Sequence, residues 1–114
     1  MALPMAAGET TLPPSESMRF EDLIAYAPHG IASRVLAKTA GGNVTVFAFE
    51  KGQGLTEHTS PFDALVFILE GGMTLTIGGR PVAAPAGSVT RMPAGVPHAL
   101  EAGERTRMLL VMLR

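Results

Sequence analysis

The chain has 114 residues, with 9 Lys+Arg against 10 Asp+Glu for a net charge of −1, and no cysteine. That length fits one domain. The charge balance offers no basic tract to follow a phosphate backbone, and without cysteine there is neither a disulfide framework nor a thiolate metal ligand. Hydrophobic residues make up 46% and charged residues 17%. A domain this small cannot bury so much apolar surface in a single core, so the surplus predicts a subunit interface, with a twofold homodimer as the simplest solution, or an apolar ligand cavity.

Residues 1–17 are rich in Pro, Ser, Thr, Gly and Ala without periodicity and read as a flexible N-terminal arm; residues 18–114 read as a single domain. The start has no early Lys or Arg and no long apolar stretch. No run approaches the roughly 20 apolar residues that cross a bilayer, so a cytoplasmic, non-membrane protein is expected. The segment "MRFEDLIAYAPHG" (18–30) suits a short strand or a helical turn ended by Pro28 and Gly30, with His29 as a solvated turn residue.

β signals then dominate. "SRVLAKT" (33–39) and "NVTVFAFE" (43–50) flank the hairpin signal "AGGN". "ALVFILE" (64–70) is a continuous apolar run, as in a strand covered on both faces. "MTLTI" (73–77) alternates, with Gly pairs on either side as turns; "SVTRM" (88–92) and "RMLLVML" (107–113) complete the set. Short strands between Gly- and Pro-rich turns predict an all-β sandwich or barrel.

Two stretches carry the candidate chemistry. In "GQGLTEHTS" (52–60), His58 and Ser60 are two apart on an extended chain and share a face, while Glu57 and Thr59 point the other way. In "GSVTRMPAGVPHAL" (87–100), Pro93, Gly95 and Pro97 make a constrained turn that delivers His98 to the next strand. If the strands close into a barrel, the two histidines meet inside it. Met73, Met92, Met108 and Met112 lie on predicted strands and suit core filling or an adaptable cavity. Arg80 and Arg91 suit solvated positions or attraction of an anion.

These two stretches resemble the paired motifs of the cupin superfamily, a group of small jelly-roll barrels built as a double-stranded β-helix. Gly52, His58 and Gly71 match the first motif, and Gly87, Pro93, Gly95 and His98 match the second. The likeness covers about residues 40–113. It implies the all-β double-stranded β-helix and, in metal-binding members, a site of three His and one Glu. Here His58 and His98 match that set. Ser60 stands where the second His belongs, Ala64 or Leu65 where the Glu belongs, and Ala102 where an Asn often follows. Half the ligand set is missing. Asp63, one residue early, could contribute only if a bulge turned it inward.

The expected function is therefore binding of a small molecule inside the barrel, in a pocket of His58, Ser60, Asp63, Met73, Met92 and His98, with no resident cofactor. One alternative is a metal-dependent enzyme of dioxygenase or isomerase type, with Zn, Fe, Mn, Ni or Cu on His58 and His98. Another is a metal-free, epimerase-like enzyme with a histidine base, which needs an orienting carboxylate. Neither nucleic acid nor membrane is an expected partner.

Overall fold

The computed structural model describes residues 11–114. Residues 1–10 of the expected arm lie outside the described residues. Nine strands run in chain order: β1 (Ile31–Thr39), β2 (Gly42–Phe49), β3 (Gly54–His58), β4 (Asp63–Glu70), β5 (Gly72–Ile77), β6 (Arg80–Pro85), β7 (Val89–Met92), β8 (His98–Ala102) and β9 (Thr106–Leu113). They form two antiparallel sheets, one ordered β1-β2-β9-β4-β7 and the other β3-β8-β5-β6. This is the expected all-β barrel. No helix among the described residues is long and apolar enough to cross a membrane.

Alternation decides what lies between the sheets. Val66 and Ile68 from β4, Leu75 from β5, Leu100 from β8 and Met108 from β9 meet in one buried cluster. Each such burial contributes roughly 1.5–3 kcal/mol. A second cluster sits on the outer side of the five-stranded sheet, where Val46 packs against Leu23 and Leu36. Leu23 follows a single 3-10 turn at Phe20–Asp22, so the ambiguous 18–30 segment is a turn-bearing strap laid over the sheet. The strap's path begins earlier, because Leu12 donates its backbone N–H to the Leu36 carbonyl at 2.8 Å.

A polar clasp holds the other end of the strap. Tyr26 donates its hydroxyl proton to Glu70 at 2.7 Å, and Arg107 donates to the other oxygen of that carboxylate at 2.7 Å and to the Ile24 carbonyl at 2.9 Å. The Arg107 and Arg105 guanidinium groups lie 4.4 and 4.8 Å from the centre of the Tyr26 ring. Partial burial and the Glu70 carboxylate hold the Tyr26 hydroxyl well above its ordinary range, while the Tyr26 hydrogen bond and Arg107 hold Glu70 below its own.

β6 contains Pro81 and Pro85, which removes two ladder donors and hides it from a sequence reading. It is tolerated because β6 is an edge strand. Gly71 lies between β4 and β5 with φ 83°, and a Cβ there would collide with the Arg105 carbonyl oxygen. Only glycine fits that approach.

Candidate functional site

The two histidines come together at one end of the barrel. β3 and β8 pair with Leu55 opposite Leu100 and His58 opposite His98. Three residues on β3 therefore advance against two on β8, so the strand carries a bulge. Unbroken alternation from the inward Leu55 would present Glu57 at the position opposite His98. The bulge puts His58 there instead. The ring centroids are 4.3 Å apart with an interplanar angle of 68°, an edge-to-face pair. His98 is buried at 5% exposure, and His58 stands at the exposed rim.

Both rings are anchored the same way. His58 Nδ1–H donates to the Thr56 carbonyl at 2.7 Å, and His98 Nδ1–H donates to the Val96 carbonyl at 3.2 Å. A carbonyl can only accept, so each bond places a proton on Nδ1, and in the neutral ring Nε2 is then the acceptor. No fully buried side-chain nitrogen or oxygen among the described residues lacks a partner. The Nε2 of His98, which makes no hydrogen bond in the chain, is therefore reached from outside despite the burial of its ring.

Two loops frame the pair and are tied to each other. Gly95 N–H donates to the Ser60 carbonyl at 2.8 Å, and Ala94 N–H donates to Asp63 Oδ1 at 2.9 Å. Ser60 Oγ accepts from the Phe62 N–H at 3.1 Å, a local turn bond. Asp63 also takes Arg91 at 3.0 Å. The Ala94 N–H first, and then Arg91, hold its carboxyl below the ordinary range.

The expected pocket residues thus divide. His58 and His98 are brought together, and Ser60 lies on the loop after β3, tied to the 93–97 turn through Gly95. Met92 is buried in the core at 2% exposure, in register with Ala64. Met73 lies elsewhere: it pairs with Ala102, at the opposite end of β8 from His98, and fills the core. Asp63 is not turned inward. β4 begins in regular alternation, Ala64 takes the buried position, and Asp63 faces out to brace the 93–97 turn. A sequence reading missed that bracing role, for which the only signal was a carboxylate just after a turn. Arg91 is spoken for by Asp63.

A resident metal of the kind the family resemblance implies does not fit these residues. The donors stop at two imidazoles. Ala64 offers nothing, Asp63 is engaged on the outer side, and Ser60 serves its own turn. Among the described residues no group of three or more His, Cys, Asp or Glu side chains could share an ion. Among the described residues neither His58 nor His98 is hydrogen-bonded to a carboxylate; main-chain carbonyls orient both rings.

Comparison with known proteins agrees with this architecture. The family model described as Cupin domain matches residues 45–113. The chain is 34% identical to the conserved protein SPY1581 of unknown function from Streptococcus pyogenes, with a TM-score of 0.85 over 90% of both chains. It is 32% identical to a Cupin 2 conserved barrel domain protein from Leptotrichia buccalis, with a TM-score of 0.79 over 82% of this chain and 46% of that one. A cupin superfamily protein, DSY2733, from Desulfitobacterium hafniense aligns at 25% identity and a TM-score of 0.83, over 90% and 94% of the two chains. No curated protein matches the chain.

Proposed function

This chain belongs to the cupin domain family, and we propose that it binds a small hydroxylated molecule at the barrel mouth, against His58 and His98. The observation that carries the reading is the pair of Nδ1–H bonds to main-chain carbonyls, which on neutral rings leaves both Nε2 atoms as acceptors on two rings whose centroids are 4.3 Å apart. Two such acceptors suit a ligand that offers hydroxyl or N–H donors. Asp63 and Arg91, at the base of the 93–97 turn, are paired with each other on the outer side, so neither is presented to a charged ligand.

The test is a thermal-shift screen of small polyols, hydroxy acids and amides, followed by calorimetry on any hit. Binding should survive in the wild type and fail in His58→Ala and His98→Ala, with both variants still folded. Long-range proton–nitrogen correlation of the three histidines reads the tautomers directly. A hit that binds the two variants as well as the wild type would sink the proposal. Titration with Zn, Fe(II), Mn, Ni and Cu separates the metal-dependent alternative: near-stoichiometric uptake lost in both variants would replace a ligand pocket with a metalloenzyme. Solvent-deuterium incorporation into a bound substrate would point to the epimerase-like alternative.

A further inference from the structure

We infer that Arg80 is the anion-recognising residue of the same barrel mouth, and that the ligand is a hydroxy acid. Its carboxylate meets the Arg80 guanidinium while its hydroxyl meets the histidines, so the inference rests on the reading of His58 and His98 as a ligand site. Residues paired across an antiparallel ladder share a face of the sheet. His58 pairs with His98, His98 with Ile77, and Ile77 with Arg80, so one row crosses all four strands of the smaller sheet. The row faces inward: His98 is buried and Ile77 packs against the core. Further along β6, Val82 and Ala84 continue that inward face. Arg80 ends the row at the exposed rim.

The register that places Arg80 is fixed by its turn. Gly78 and Gly79 join β5 to β6 with φ of 58° and 81°, the left-handed pair of a two-residue hairpin. The Gly78 N–H donates to the Pro97 carbonyl at 2.8 Å, which ties this hairpin to the turn that delivers His98. Arg80 is also unpartnered. Every other arginine among the described residues holds a carboxylate, a main-chain carbonyl or an aromatic ring; Arg80 holds none of these. β6 lies two strands from β8. At about 4.8 Å per strand that is roughly 10 Å, a distance that an arginine stem and a short-chain acid cover together. No carboxylate of the chain lies in the row. At the same end of the larger sheet, Lys38 ends the inward row that runs through Asn43 and Met112 to the buried Ala64. Both rims therefore carry a cation, and the field at the mouth favours an anion. A guanidinium takes a carboxylate through two parallel N–H donors, which fixes the orientation of the ligand as well as its charge.

The test sets acids against the matched neutral polyols on the full chain: lactate against propylene glycol, glycerate against glycerol, and threonate against threitol. Calorimetry gives the affinities, and proton–nitrogen correlation follows the His58 and His98 ring nitrogens. At least one acid should bind the wild type roughly 10-fold or more tightly than its polyol. Arg80→Gln should abolish that preference and leave polyol binding unchanged, with Tm retained because the side chain is exposed. Arg80→Lys should keep part of the preference. Lys51→Gln removes the same charge from the turn before β3, at the far end of the barrel, and should keep all of it. Acids that bind no more tightly than polyols, or a preference that survives Arg80→Gln, overturn the inference and leave the histidine site standing. An acid whose binding needs Arg80 yet persists in both His58→Ala and His98→Ala marks an anion site apart from the histidines and overturns it too. If neither acid nor polyol binds or moves the ring nitrogens, the histidine reading fails and this inference with it.

Discussion

Arg107 and Arg105 both flank Tyr26, yet removing them should have very different effects. The Arg107 side chain is 14% exposed and that of Arg105 63%. Arg107→Met keeps the aliphatic stem and deletes the Glu70 ion pair, the hydrogen bond to Ile24 and the contact with the Tyr26 ring. A hydrogen bond between charged groups contributes roughly 1.5–3 kcal/mol, and Glu70, with 44% of its side chain exposed, belongs at the low end. The bond to Ile24 adds about 1 kcal/mol and the ring contact about 0.5–1. The expected loss is about 2–4 kcal/mol. Arg105→Met breaks a bidentate pair with Glu50 at 2.9 Å. At that exposure the pair contributes about 0.2–1 kcal/mol and the ring contact a further ~0.5. With about 4–5 °C per kcal/mol for a domain of this length, Arg107→Met should lower Tm by roughly 10–20 °C and Arg105→Met by less than about 10 °C. Tyr26 is the only tyrosine and there is no tryptophan, so its fluorescence follows the strap while circular dichroism follows the barrel. Equal losses, or a larger loss in Arg105→Met, would refute the argument that burial decides.

Three further outcomes are expected. Absorbance titration of Tyr26 should place its ionisation above the ordinary value of about 10, and Glu70→Gln should bring it part of the way back. Because the folded-state value is raised, the stability that it confers is complete below pH ~10 and is lost as the pH rises further. For Asp63 the sign is opposite. Its folded-state value is depressed, so its contribution is present above about pH 4 and falls away on acidification, and Asp63→Asn should remove that acid limb and speed amide exchange at Ala94. Gly71→Ala forces a side chain into left-handed backbone against the Arg105 carbonyl, and thermal melts should show a loss of about 2 kcal/mol or more.

The barrel was legible in the sequence where alternation and turn chemistry agreed. The 73–77 strand and its flanking Gly pairs are an example, as is the Pro-Ala-Gly-Val-Pro turn that leads to His98. β6 was hidden because Pro81 and Pro85 argue against a strand, and only its edge position reconciles them with one. The meeting of His58 and His98 could be anticipated; the means could not. A bulge on β3 exchanges Glu57 for His58 at the inward position, and a one-residue change of register leaves no compositional trace. Asp63 carried the same ambiguity, resolved by the regular start of β4. The clasp joins Tyr26 to Glu70, 44 residues away, and no local pattern announces a pairing at that range.

The anchoring of the histidine rings also bears on selectivity. Each ring is tethered to the carbonyl two residues back, on β3 for His58 and in the turn before β8 for His98, and the separation of the rings is set by the pairing of β3 with β8. The freedom that an imidazole would lose on taking up a guest is already lost when the barrel forms. Such a mouth cannot swing a ring to accommodate a longer or shorter spacing of donors. It should behave as a fixed gauge, rejecting near-isomers with displaced hydroxyl groups sharply and accepting a correctly spaced one with little reorganisation.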